Sequence, residues 1–211
     1  MKTITAAMAI LFVGQMALAA TATYSVTIES NWSQAEHLAL PGNAHFSPVV
    51  AVAHDSGYTL LPIGGIATDG LESLAETGRT AVINTEIQAA DAAIAQSVET
   101  ENQFVLRSPT QQFEIQVSED HPFLSFVSMI APSPDWVVGL SNLKLYTADA
   151  GFAEGSSRLP LYAINAGTEE GDIGGNFGLG NEATEPKEAI GQLAGSGFNA
   201  PFGFVTIQRI R

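Results

Sequence analysis

The feature that most limits how this chain can fold is a corner between two apolar segments. Phe123 to Ile130 is an apolar-rich run that ends at Pro132-Ser133-Pro134; Asp135 and Trp136 follow, and Val137-Val138 resumes the run. Each proline holds φ near about −65° and pushes the residue before it towards extended geometry. Two strand-like segments therefore meet at a stiff turn, with a carboxylate at its exit and a large aromatic beside it.

The first 19 residues have the form of an export signal. Lys2 precedes an apolar core from Ala6 to Val13, and Ala17-Leu18-Ala19 supplies a small-x-small cleavage site. The core is too short, and too interrupted by Gly14 and Gln15, to span a bilayer comfortably. Residues 1–19 are read as a signal peptide and 20–211 as one domain, exported to the periplasm or beyond the cell. Beyond the signal only 7 of the 8 basic residues remain against 22 acidic ones, a formal charge of −15. Such a surface repels nucleic acid and anionic lipid, so nucleic acid is excluded as a partner and a membrane is disfavoured. The chain has no cysteine, which removes disulfides, zinc–thiolate sites and thiol chemistry.

Tyr24 to Glu29 alternates apolar and polar residues with the period of a half-buried strand. Trp32 follows as a core plug, within a formal Asn31-Trp32-Ser33 glycosylation sequon. Val49 to Ala53 and Tyr58 to Ile63 read as a hairpin across Asp55-Ser56-Gly57. A short helix capped by Thr68 or Asp69 and closed by Gly78 is predicted through Leu71, Leu74 and Ala75. Residues 80–96 carry a helical stripe, although Thr80 to Thr85 fits a strand equally well. Strand signals return at 104–106, 113–117, 159–164 and 202–210, while Leu140 to Tyr146 fits a strand or a turn. The 171–181 run, from Gly171 to Asn181, is glycine-rich and reads as the most flexible stretch. Strands separated by frequent Gly, Pro and Asp turns, with few helices, predict an all-β, antiparallel β-sandwich with one or two short helices.

Asp135 and the acidic loop at Asn165, Glu169, Glu170 and Asp172 both fall at strand ends, where a sandwich clusters its loops. Carboxylate, amide and carbonyl oxygens there suit a hard divalent cation, while on composition alone acidic loops in so acidic a chain read more readily as solvated surface. His37, His45, His54 and His121 match no compact ligand spacing and read as side chains that tie loops together. No Gly-x-Ser-x-Gly elbow is present. A hydrolase reading would rest on Asp135 and Glu169 with His45 or His121 as acid/base groups.

Four segments occur together: His45-Phe46-Ser47-Pro48, Leu74-Ala75-Glu76 with Gly78, Ser128-Met129-Ile130 with Pro132-Ser133-Pro134-Asp135-Trp136, Val138 and Gly139, and Asn165-Ala166-Gly167-Thr168-Glu169 with Gly171. In order and spacing they resemble the spondin N-terminal domain, found in F-spondin-like matrix proteins and in single-domain exported bacterial proteins. The resemblance spans roughly residues 22–210. It implies a C2-like antiparallel β-sandwich holding a calcium ion through three aspartates. The first of these positions is Asp135 here. The second is Asn165, which keeps a ligating oxygen but loses a charge, and the third is Glu169, which keeps the charge on a longer arm. Calcium is then expected on Asp135, Asn165 and Glu169, with Kd towards about 10⁻⁴–10⁻³ M, the range of extracellular modules. The function implied is a non-enzymatic module for adhesion, its partner an unidentified protein or glycan surface.

Overall fold

The computed structural model describes residues 19–37, 41–100, 104–105, 110–170 and 186–211. The signal segment up to residue 18, Leu106, the glycine-rich 171–181 run and Asp172 lie outside them. The strands of the first half are β1 (Thr21–Ser30), β2 (His45–Phe46), β3 (Val50–His54), β4 (Ile94–Glu99) and β5 (Phe104–Val105). Between β3 and β4 lie α1 (Asp69–Thr77) and α2 (Ala81–Ala90). There follow β6 (Thr110–Ser118), β7 (Phe123–Ala131), β8 (Trp136–Lys144), β9 (Tyr146–Thr147), β10 (Gly151–Phe152) and β11 (Ser156–Leu161). The described strands end with β12 (Ile164–Asn165), β13 (Gly191–Gln192) and β14 (Gly203–Arg209).

Two antiparallel sheets carry the fold. The smaller has the order β11-β14-β1-β6; the larger runs β13-β12-β8-β7-β2-β5, with β3 inserted between β7 and β4. The predicted β-sandwich is present. Tyr24, Val26 and Ile28 of β1 and Ile115 and Val117 of β6 pack against Ala51, Ala53, Phe126, Ile130, Trp136 and Val138 of the larger sheet. Trp32 joins this core, its ring packed edge-on against Phe46 with the centroids 4.8 Å apart. β1 shows strict alternation of buried and half-exposed residues because its other face meets solvent.

The larger sheet is covered on its second face as well. Leu71, Leu74 and Ala75 of α1 and Ile83 and Ile87 of α2 pack on Val50, Val52, Val127, Met129 and Val137. β7 is thus buried on both faces, and eight of its nine residues are buried, which explains a run that is apolar except for Ser125 and Ser128. α1 starts and stops where its residues dictate. The Thr68 hydroxyl accepts the Leu71 N–H at 3.2 Å, and Gly78, at φ +69°, donates its N–H to the Leu74 carbonyl.

The hairpin expected across Asp55-Ser56-Gly57 does not form. The turn is present, with the Gly57 N–H on Asp55 Oδ1 at 2.7 Å. Both edges of β3, however, are taken by β4 and β7, which leaves residues 58–63 no edge to pair with. Leu60 and Leu61 plug the helix-side core instead. The ambiguous 80–96 segment divides: α2 runs to Ala90, a 3₁₀ turn spans Asp91–Ala93, and β4 begins at Ile94. Leu140 to Lys144 is strand, the second half of β8.

Candidate metal centre

The proline corner joins β7 to β8. The Ala131–Pro132 peptide is cis, and the buried Ser133 hydroxyl accepts the Trp136 N–H at 3.0 Å. Trp136 is fully buried, with its ring edge-on to Phe198 at 4.9 Å. β8 then pairs with β12, setting Trp136 opposite Asn165 and Val137 opposite Ile164. This pairing brings the corner and the 165–169 loop together, and the Ala166 N–H donates to the Asp135 backbone carbonyl at 3.1 Å.

Gly167 makes the loop possible. Its φ of +73° lies in the left-handed region, and a Cβ there would strike the backbone of Glu188. The turn it creates aims successive N–H groups inward. Asp135 Oδ2 accepts the Thr168 N–H at 2.8 Å, the Glu169 N–H at 3.2 Å and the Thr168 hydroxyl at 3.4 Å. The other oxygen, Oδ1, is buried and has no hydrogen-bond partner among the described residues. Asp135 is 0% exposed, so half of a carboxylate sits in the interior without a hydrogen bond from the described residues. Burial pushes this carboxyl above its ordinary value, against the pull of the Thr168, Glu169 and Gly167 N–H groups.

Around it the charge is mostly negative, with Lys187 the exception. Glu169 is half-buried, and its carboxyl is raised by burial and by repulsion from Glu76, Asp135 and Glu72. Glu76, at the end of α1, is raised by burial and by Glu72 and Asp135, although the Thr168 hydroxyl and Lys187 lower it. Lys187 is committed elsewhere, 2.5 Å from Glu72 and 3.2 Å from Asp69. Beside Glu76 opens a cleft of about 350 Å³ lined by His45, Ser47, Met129 and Pro132 among others.

Of the three expected ligands, Asp135 and Glu169 come together. Asn165 reaches the same loop, but its amide oxygen already accepts the Gly167 N–H at 2.5 Å. Among the described residues no three His, Asp or Glu side chains converge as a ready ion cage. Asp135, Glu169 and Asn165 carry oxygen donors of the kind a hard divalent cation takes, and they are the residues that would hold one. Glu76 was not foreseen as part of this site. Its signal in the sequence is a glutamate two residues before a helix-closing glycine, an unfavourable place for a negative charge.

The histidines tie loops together, as their spacing suggested. His37 Nδ1 accepts the Ser33 N–H at 3.1 Å, His121 Nε2 meets the Ala92 carbonyl at 2.9 Å, and His45 Nδ1 meets the Asn43 carbonyl at 2.8 Å. His54 and Ser125 form a pair at 2.9 Å, but both are 0% exposed and out of reach of any substrate. Among the described residues no histidine is hydrogen-bonded to Asp135 or Glu169.

Known proteins share this arrangement of segments. The Spondin_N family model matches residues 22–203. Spondin-1 from Gallus gallus is 31% identical over 180 residues, covering 82% of this chain and 22% of that protein. Spondin-2 from Homo sapiens is 31% identical over 188 residues, covering 86% of this chain and 55% of that protein. The chain thus spans between about a fifth and about half of the relatives it matches. A sandwich whose proline corner, left-handed glycine and 165–169 loop all lie within a match of that length leaves one assignment: the chain belongs to the Spondin_N family.

Proposed function

We propose that this chain is an exported, non-enzymatic adhesion module that binds calcium between the proline corner and the 165–169 loop. The supporting observation is Asp135: wholly buried, its Oδ2 held by backbone N–H groups and its Oδ1 without a hydrogen-bond partner among the described residues. A lone buried charge costs several kcal/mol unless it is compensated. A divalent cation shared with Glu169 and Asn165 compensates it and clamps β8 to the loop. Membership of the Spondin_N family, with the resemblance to F-spondin-like matrix proteins, supports a matrix or surface setting over catalysis. No described helix is long and apolar enough to cross a membrane.

Thermal melts in calcium and in chelator test the reading. Calcium at tenfold its Kd adds about 1.4 kcal/mol, a rise of about 3–6 °C for a domain of this size. Asp135→Asn keeps an oxygen for the Thr168 and Glu169 N–H groups but removes the charge. It should melt no lower than wild type in chelator, and below wild type in calcium. Identical wild-type melts with and without calcium, up to tens of millimolar, would overturn the proposal.

A further inference from the structure

We infer that the outer edge of β6 takes an extended peptide of another protein, one that alternates apolar with basic residues and adds an antiparallel strand to the smaller sheet. The inference goes beyond the calcium reading and shares no residue with that site. β6 ends the four-stranded order β11-β14-β1-β6, and no described strand pairs with its outer edge. The Gln116 N–H turns away from β1 and donates to Gln96 Oε1 of β4 at 2.5 Å. Backbone groups alternate along a strand, so the N–H and C=O of Gln112 and Glu114 face outward as well. The side-chain amide of Gln96 thus stands where the carbonyl of a neighbouring strand would stand.

A floor for the added strand is already in place. β4 ends the larger sheet and passes close to β6. Its Gln96 and Val98 share the face towards β6, and Val98 packs on the core there. Both stay half-exposed, because the smaller sheet stops at β6. A groove of about 320 Å³ runs between the two strands, lined by Gln96, Glu114, Gln116 and Ser118 among others. The opposite edge of the smaller sheet is guarded. β11 carries Pro160, and Arg158 lies over the Phe204 ring at 3.6 Å, devices that discourage a further strand. β6 has no Pro, Lys or Arg.

The pattern of β6 selects the occupant. Phe113, Ile115 and Val117 are buried on the inner face, so the residues beside them on the added strand are apolar. Gln112, Glu114 and Gln116 are exposed on the outer face, where a basic residue opposite Glu114 is favoured. Glu114 now holds Arg211 at 3.2 Å in an exposed pair, which a lysine of the peptide replaces at little cost. A second copy of this chain fits poorly. Two β6 edges paired about Glu114 set like charges directly opposite, between chains that are both strongly acidic.

Fluorescence anisotropy of a labelled eight-residue peptide alternating valine and lysine, titrated with the full chain in chelator, tests this. In an antiparallel pair the residue opposite Glu114 turns its N–H to β6 and its side chain to solvent, so the lysine N–H groups make the bonds. The peptide N-methylated at its lysines should bind at least about tenfold more weakly, from the loss of two or more backbone hydrogen bonds. The peptide N-methylated at its valines should bind within about threefold of the parent. Glu114→Lys should weaken the parent peptide, and bound peptide should slow amide exchange at Gln112 and Glu114. No binding at millimolar peptide, or equal affinity for the two methylated peptides, overturns the inference. A dimer of the chain in sedimentation that Gln112→Pro abolishes overturns the choice of partner, since that change removes an outward N–H from the edge. Calcium is absent throughout, so failure of the calcium reading leaves this result unaffected.

Discussion

Thr168 and Asp135 are 33 residues apart in sequence, and the N–H of one lies 2.8 Å from the carboxylate of the other. That bond depends on Gly167, whose left-handed φ of +73° turns the loop inward. Gly167→Ala would cost about 1–2 kcal/mol for the left-handed backbone alone, and more for its clash with the Glu188 backbone. Urea unfolding should show a loss of at least about 2 kcal/mol, and any calcium-induced rise in melting temperature should vanish with the distorted loop. A variant as stable as wild type would show that the loop tolerates another path.

The carboxyls of Asp135, Glu76 and Glu169 are all raised above their ordinary values, with burial the leading cause in each. A folded-state value above the unfolded one gives stability that is full below the unfolded value and lost as pH rises through the folded one. Without calcium the chain should therefore lose stability on this account as pH climbs from about 4 towards neutrality. Calcium binds the ionised forms and opposes the loss. The melting difference between calcium and chelator should be greatest near neutral pH and close below about pH 4. A difference independent of pH would place the ion away from these groups.

Much of this architecture can be read from local pattern, and the remainder depends on pairing at long range. β1 alternates because one face meets solvent, and the ends of α1 are marked by Thr68 and Gly78, whose side-chain and backbone chemistry acts within a few residues. Asp135 stands out because two prolines lead directly into it. The fate of residues 58–63 was hidden, since it turns on β4 and β7 filling both edges of β3 from 40 or more residues away. The helical layer was equally hidden: β7 reads as apolar, and apolarity does not say that two different layers cover its two faces. Glu76 escaped notice for the same reason, because its neighbours Thr168 and Asp135 come from distant strand ends.

Trp136 follows Asp135 directly and is one of only two tryptophans in the chain. A cation on Asp135 changes the field at an indole fixed by full burial and by contact with Phe198. Calcium titration should shift the tryptophan emission, and the shift should persist in Trp32→Phe, whose indole packs on Phe46 and Phe202 instead. A signal lost in Trp32→Phe and kept in Trp136→Phe would locate the ion elsewhere. Trp136→Ala, by contrast, should cost about 3–5 kcal/mol, as truncation of a buried aromatic does.

His54 responds to acid in the opposite sense to the carboxylates. It is fully buried, stacked on Phe123 at 5.8 Å, and bonded to the Asp55 carbonyl at 2.7 Å and Ser125 Oγ at 2.9 Å. The Asp55 bond places a proton on Nδ1, leaving Nε2 to accept from the Ser125 hydroxyl, which itself accepts the Asn142 N–H at 2.8 Å. Burial lowers its pKa, with the Asp55 carbonyl resisting the shift. A folded-state value below the unfolded one means stability present above the ordinary value of about 6.5 and lost as pH falls towards the folded value. In chelator the falling-pH limb between about 6.5 and 5 should therefore carry a His54 loss against the carboxylate gain. The double variant His54→Phe with Ser125→Ala removes the titrating ring and the hydroxyl that bonds it. It should be less stable at neutral pH, yet gain more stability than wild type as pH falls through this window. Parallel stability profiles for the two proteins would mean that His54 accepts its second proton without cost, and that the core around Ser125 opens to receive it.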